Sequence, residues 1–165
     1  MPQLGLYTAT ENELGAVQRA AGEVGTDLVV RSESDLDDEP AVESFLDDLT
    51  DATAVILWLH GAQDSMPGYE RAVERLRDAG VPLVVKATGD TFAYEDSSVP
   101  DSHRETVYDY LDRGGASNVA NCLRYLVSQY GDADPAYDDP VALPTEGVYH
   151  PDYPGASYEE LRATF

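Results

Sequence analysis

The heptapeptide Ala54-Val55-Ile56-Leu57-Trp58-Leu59-His60 is apolar at every position except the last. Such a run predicts a central strand covered on both faces, because a strand with one wet face alternates apolar and polar residues. Three further short runs rich in apolar and β-branched residues are found at residues 3–8, 27–31 and 82–87. The sequence therefore predicts four strands, with residues 54–60 in the interior of the sheet.

Helical patterns separate these strands. Thr10 followed by Glu13 is typical of a capping box, and it precedes apolar residues at helical spacing up to Val24. Residues 41–49 and 69–79 predict the second and third helices. Strands that alternate with helices form right-handed crossovers in a parallel sheet. The predicted fold class is α/β, a three-layer flavodoxin-like or Rossmann-like parallel sheet of about four strands in the order 2-1-3-4.

The rest of the chain does not continue the βα pattern. A polar loop at residues 89–101 precedes two helical stretches, 103–111 and 117–130, which Gly114 and Gly115 separate. From residue 132 onward the sequence is rich in Pro, Asp, Gly and Tyr and lacks periodicity. We expect a head domain over residues 1–131 with two extra C-terminal helices, and an irregular tail over 132–165 that leads into the rest of a larger subunit.

The charge balance excludes nucleic acid as a partner. The chain has 32 acidic and 10 basic residues, a net charge of −22, whereas phosphate binding requires basic surface. Acidic residues are spread over segments with clear apolar periodicity, which favours a folded domain with a carboxylate-rich surface, typical of a salt-loving organism. Cys122 is the single cysteine, so a disulfide within the chain is excluded. No signal peptide or long apolar run is found, and we expect a cytoplasmic protein without membrane contact.

No catalytic motif is present: glycine-rich phosphate loops, zinc-binding helices and nucleophile elbows are all missing from the sequence. A candidate site can therefore be inferred only from its position in the fold. Ligands of open parallel sheets bind beyond the carboxyl ends of the strands, where the strand order reverses. In the order 2-1-3-4 that place lies between the first and third strands. The candidate ligand-binding residues there are Thr8, Thr10, Glu11, His60, Asp64 and Ser65.

Each candidate also has a structural interpretation. His60 could ligate a metal, act as a base or bind a ligand carboxylate, or it could only order the turn that follows its strand. Glu11 and Glu13 are first-turn acids suited to helix capping, and Asp64 and Ser65 could cap the third helix. Tyr149 and His150 lie in the tail, where they either bind a ligand or dock the tail. No metal site is assigned.

Three strings carry a family resemblance: WLHGAQDSMPGYERAVERLRDAGVPLVV from Trp58, YDYLDRGGASNVANCLRYL from Tyr108 and LPTEGVYHPDYP from Leu143. Together with the opening LGLYTATENELGAV, they resemble the start of the cobaltochelatase large subunit, to which the magnesium chelatase large subunit is related. Residues that match the family's motifs are Thr8, Glu11, His60, Asp64, Asn118, Tyr149 and His150. The family's catalytic residues are not placed on this sequence.

The resemblance implies a part in the ATP-dependent insertion of cobalt(II) into a corrin-type tetrapyrrole during cobalamin synthesis. Its implied partners are the remainder of the large subunit, AAA+ type subunits that hydrolyse ATP with magnesium, and the tetrapyrrole substrate. We expect no cofactor to be bound by this chain and no activity of the chain alone.

Two other interpretations stay open. One is a non-catalytic flavodoxin-like or receiver-like interaction domain, or the equivalent domain of a magnesium chelatase. The other is an independent enzyme that uses His60 as a base.

Overall fold

A computed structural model describes residues 3–9, 11–89 and 92–142. Its four strands are β1 (Gln3–Thr8), β2 (Asp27–Ser32), β3 (Ala54–His60) and β4 (Leu83–Thr88). They form one sheet in the order β2-β1-β3-β4, and every neighbouring pair is parallel. The predicted strand order 2-1-3-4 is confirmed.

Five helices cover the sheet within the described residues: α1 (Glu11–Val24), α2 (Glu39–Thr50), α3 (Tyr69–Ala79), α4 (Asp101–Arg113) and α5 (Ala116–Tyr130). Helices α2 and α3 share one apolar core with the sheet, whereas α1, α4 and α5 share a second core on the opposite face. The three-layer α/β fold is therefore confirmed, with the two additional helices α4 and α5 packed beside α1.

Strand β3 shows why its residues are apolar at nearly every position. Val55 and Leu57 enter the core beneath α2 and α3, while Ala54 and Ile56 enter the core beneath α1 and α5. Successive strand residues point to opposite faces, so a strand between two helical layers needs apolar side chains on both.

Local signals set the start of two helices. The Asp38 side chain accepts a hydrogen bond from the Ala41 amide at 2.8 Å, so α2 begins two residues earlier than predicted, with Pro40 in its first turn. Thr10, the predicted capping residue of α1, lies outside the described residues. Glu13 instead accepts a hydrogen bond from the hydroxyl of Thr8 at 2.8 Å.

After α5, residues 132–142 contain no helix or strand. Tyr149 and His150 lie outside the described residues, and the predicted domain boundary at residue 131 stays a prediction. Within the described residues, no helix is both long and apolar enough to cross a membrane.

Candidate functional site

A depression of about 280 Å³ lies at the carboxyl edge of the sheet, between α1 and α4. The residue after β1 and residues from β3, β4 and both helices line it: Ala9, Glu13, Trp58, Leu59, His60, Lys86, Thr88, Leu111 and Asp112. This is the edge at which the sequence places the candidate site, and His60 is the predicted residue that reaches it.

The strand register explains the floor of this depression. Trp58 pairs with Thr8 of β1 on one side and with Lys86 of β4 on the other. Paired residues of parallel strands project to the same face, so these three side chains form a row on the face that α1, α4 and α5 cover. Two residues further along β3, and so on the same face, His60 pairs with Thr88.

His60 is exposed and closes the open end of the depression. Its Nδ1 lies 3.4 Å from the Thr88 hydroxyl, which also accepts a hydrogen bond from the Gly61 amide at 3.0 Å. Gly61 has a φ of 94°, a value that glycine adopts without strain. The turn after β3 is thus ordered by Thr88, and the imidazole stays free of apolar burial.

Lys86 is the only lysine of the chain, and it is buried. Its ammonium lies 2.6 Å from Oδ1 of Asp112 and 5.0 Å from the centre of the Tyr108 ring. A buried ammonium requires such partners, because an unpaired ion in the protein interior destabilises the fold by on the order of several kcal/mol. The depression therefore holds at its base an ammonium whose charge is balanced by Asp112.

Two carboxylates and an imidazole accompany that charge. Glu13 is held by the Thr8 hydroxyl, and Asp112 is 63% exposed at the side chain, so both carboxylates border the same depression as His60. Such a set offers hydrogen-bond donors and acceptors to a polar ligand. Within the described residues, no three His, Cys, Asp or Glu side chains are grouped as a metal site would require.

The structure places Glu11 elsewhere. Its carboxylate accepts a hydrogen bond from the Ser34 hydroxyl at 2.7 Å, and it lines a separate depression beside Ser32 and Glu33, at the β1–β2 side of the edge. Glu13, two residues further along α1 and so on a different side of the helix, lines the depression that His60 closes.

Asp64 and Ser65 lie in a short 3₁₀ turn, Gln63–Ser65, ahead of α3. Asp64 lines a third depression, of about 460 Å³, on the α2–α3 side. The expectation that these two residues cap α3 is wrong, because the helix begins after Gly68, whose φ of 75° makes the turn without a side-chain cap. The Ser65 carbonyl instead accepts a hydrogen bond from Tyr7 at 2.6 Å, and burial raises the pKa of Tyr7 to about 12.

The predicted candidates are therefore dispersed: His60 lines the depression at the β1–β3–β4 edge, whereas Glu11 and Asp64 line two other depressions. Thr8 contributes indirectly, through its hydrogen bond to Glu13. Sequence reasoning missed Lys86 and Asp112. A signal for Lys86 was available: a lone lysine near the end of a predicted strand, in a chain whose other basic residues are all arginine. Asp112 had no such signal, because only packing brings α4 over β4.

A parallel four-stranded sheet in the order 2-1-3-4 between two helical layers, with a polar depression at its carboxyl edge, defines a flavodoxin-like α/β domain. The catalytic subunit of cobaltochelatase from Mycobacterium tuberculosis has a similar fold. The match has a TM-score of 0.71 at 21% identity, over 90% of this chain and 12% of that one.

Sequence relatives point to the same group of proteins. The aerobic cobaltochelatase subunit CobN of Pseudomonas aeruginosa is 31% identical over 137 residues, which make up 78% of this chain and 11% of that protein. An uncharacterized protein of Methanocaldococcus jannaschii is 33% identical over 67 residues, 41% of this chain and 5% of that protein. The model of the family described as CobN/Magnesium Chelatase matches residues 108–164.

These likenesses confirm the resemblance found in the sequence: the chain is a CobN-like, cobaltochelatase-type domain. It spans about a tenth or less of the length of the relatives it matches.

Proposed function

We propose that this chain is the N-terminal head domain of a cobaltochelatase large subunit, and that it contributes to ATP-dependent insertion of cobalt(II) into a corrin-type tetrapyrrole. The observation that carries the proposal is the 31% identity to CobN over 137 residues, since it covers most of the α/β body rather than one motif. The family match over residues 108–164 supports it independently from α4 onward.

The depression at the β1–β3–β4 edge is the place where we expect the domain to act. Ligands of open parallel sheets bind at this edge, and Lys86, His60 and Glu13 offer both donors and acceptors there. A corrin-type ring carries carboxylate side chains, which a lysine ammonium and an imidazole bind through charge-assisted hydrogen bonds. We therefore assign the domain to macrocycle binding, with subunit docking through the same edge as the other role.

The proposal assigns neither cobalt binding nor ATP hydrolysis to this chain. Cobalt(II) is a substrate of the complete enzyme, and no metal is assigned to this chain. The sequence has no glycine-rich phosphate loop, which is consistent with ATP hydrolysis by separate AAA+ type subunits.

The test is reconstitution of a chelatase from a large subunit that carries this chain and its ATP-hydrolysing partners. We expect cobalt(II) to be inserted into a corrin-type ring only when ATP and all subunits are present. Magnesium(II) with a porphyrin is the parallel assay. Metal insertion only in the magnesium assay would assign the chain to a magnesium chelatase, and insertion in neither assay would contradict the proposal.

A non-catalytic interaction domain is the second candidate. The ion pair between Lys86 and Asp112 favours it, because the pair already occupies part of the depression with the chain's own side chains. Deleting this domain from the large subunit distinguishes macrocycle binding from a pure interaction role. If the domain serves only for interaction, its deletion leaves the affinity for the macrocycle unchanged and weakens subunit assembly.

A further inference from the structure

One face of α5 is polar and faces a neighbouring segment rather than the sheet. Asn118, Asn121, Tyr125 and Ser128 recur at intervals of three, four and three residues, so they lie along one side of the helix. The segment opposite them, residues 134–141, contains neither helix nor strand, and we call it the strap. It runs antiparallel to α5, since Asp134 contacts Ser128 and Val141 contacts Asn118.

Val141 is held through both of its backbone groups. Its amide donates to Oδ1 of Asn118 at 2.9 Å, and its carbonyl accepts from Nδ2 of the same side chain at 2.8 Å. Nδ2 of Asn118 also donates to the Gly114 carbonyl at 2.8 Å. The carboxamide thus bonds the strap as a neighbouring strand would, and both its donor and its acceptor atoms are used.

Asp138 is held in the same manner by two different side chains. Its amide donates to Oδ1 of Asn121 at 3.2 Å, and its carbonyl accepts from the Tyr110 hydroxyl at 2.5 Å. Between these anchors and the end of α5, Tyr137 packs edge-on against Tyr125 with ring centres 5.4 Å apart.

The two asparagines that hold the strap are buried. Asn118 is 2% exposed and Asn121 is 7% exposed, values that are uncommon for asparagine. Buried amides are stable only when they are hydrogen-bonded, and loss of the strap would leave Asn118 with only its bond to Gly114 and Asn121 with only its bond from Arg124. Asparagines on the solvent face of a helix need no such partner, so their burial here points to the strap as part of the folded domain.

We propose that Asn118 and Asn121 are positioning residues that hold the strap against α5 and so fix where, and in which direction, the chain leaves the α/β body. Resting on the proposed function, this gives the head domain a defined orientation relative to the rest of the large subunit. It also gives a structural role to Asn118, one of the residues that match the family's motifs. The family match over residues 108–164 includes both anchors and the whole strap.

Hydrogen exchange of backbone amides, measured on the whole chain by NMR, tests the proposal. Asn118→Ala removes both bonds to Val141, and we expect exchange of the Val141 amide to rise about tenfold or more while amides of β1 and β3 stay unchanged. Asn12→Ala, an exposed asparagine on α1, is the matched control and leaves Val141 protected. An unchanged Val141 amide, or equal acceleration throughout the sheet, would overturn the proposal.

Tyr110→Phe is the second variant, for the case in which Asn118→Ala does not fold. It keeps the buried ring and deletes only the hydroxyl that holds the Asp138 carbonyl. We expect exchange at Asp138 to rise several-fold, about the effect of one hydrogen bond, without a change in the sheet amides. Unchanged exchange at Asp138 would contradict the anchoring role.

Cobalt insertion by a large subunit that carries this chain adds a functional measurement. We expect Asn118→Ala to lower the insertion rate and Asn12→Ala to preserve it. Accelerated exchange with an unchanged insertion rate would overturn the positioning role, even if wild-type chelatase activity supports the proposed function. Absence of activity in the wild type would contradict the proposed function and leave the exchange result to decide on the strap.

Discussion

The Lys86 ammonium and the Asp112 carboxylate lie 2.6 Å apart, but their burial differs: the lysine side chain is 9% exposed and the aspartate side chain 63%. The ion pair is therefore one-sided. The aspartate keeps most of its hydration when the lysine is removed, whereas the lysine stays buried beside the Tyr108 ring, without its carboxylate partner, when the aspartate is removed. The cost of breaking the pair depends on which partner is lost.

This asymmetry predicts unequal stability losses. Asp112→Ala should lower the free energy of unfolding by about 1–3 kcal/mol, because it leaves a buried charge without its carboxylate. Lys86→Met should cost less than about 1 kcal/mol, because methionine fills the apolar path of the lysine stem. Urea unfolding of both variants and of the double variant measures the difference. A Lys86→Met loss equal to or larger than that of Asp112→Ala would contradict the burial of Lys86.

Salt should stabilise the domain. A net charge of −22 on 165 residues produces self-repulsion, and added salt screens it within about 3 Å at 1 M. We expect the melting midpoint to rise steadily from dilute buffer to molar KCl, as a salt-loving organism would require. Sucrose at matched osmolality is the control for general solvent effects. A midpoint that stays constant or falls in KCl would refute the interpretation of the acidic surface.

The ion pair between Glu39 of α2 and Arg71 of α3 should lose its stabilising effect at acidic pH, when the Glu39 carboxylate is protonated. Arg71 lies 2.5 Å from Glu39, and this hydrogen bond holds the pKa of the Glu39 carboxyl below its ordinary value. A carboxyl with a lowered folded-state pKa stabilises the fold above its unfolded-state pKa, and that stabilisation disappears as the pH falls through the folded-state pKa. The stability difference between wild type and Glu39→Gln should therefore shrink as the solution is acidified.

NMR titration of Glu39 provides the residue-level measurement. In Arg71→Met the Glu39 pKa should return toward its ordinary value. In Arg77→Met, which changes an exposed arginine in the last turn of the same helix, it should stay lowered. Equal Glu39 pKa values in the wild type and in Arg71→Met would show that the ion pair does not form in solution.

Cys122 should be chemically inert in the folded protein. The thiol is buried in α5, and burial raises its pKa to about 12, so the reactive thiolate is scarce at pH 8. Iodoacetamide should modify the native chain far more slowly than the same chain in urea, as followed by mass spectrometry. Rapid modification without denaturant would indicate that α5 is not packed against the sheet as described.

The sheet could be predicted from the sequence because its signals are local. The continuous apolar run of β3 indicated a strand between two layers, and the alternation of strands and helices limited the order to few topologies. The depression was harder to predict, because its members come from four separate elements. His60 was found from its place at the end of β3, whereas Asp112 reaches Lys86 only through the packing of α4 on β4.

Packing also determines which of two neighbouring residues lines the depression. Glu11 and Glu13 are both first-turn acids of α1, but Glu13 lines the depression at the β1–β3–β4 edge while Glu11 contacts Ser34. His103 of α4 is a further case: its Nδ1 lies 2.6 Å from the Tyr130 hydroxyl, and its ring packs against Tyr125. Side-chain partners distant in sequence cannot be read from local periodicity.

The rate of cobalt(II) insertion by a chelatase whose large subunit carries this chain tests the central claim most directly. We expect His60→Ala and Lys86→Met each to lower the rate about tenfold or more, the effect of losing one charge-assisted contact, while the exposed control Arg77→Met retains the wild-type rate. Insertion at the wild-type rate by both His60→Ala and Lys86→Met would contradict a functional role for the depression at the β1–β3–β4 edge.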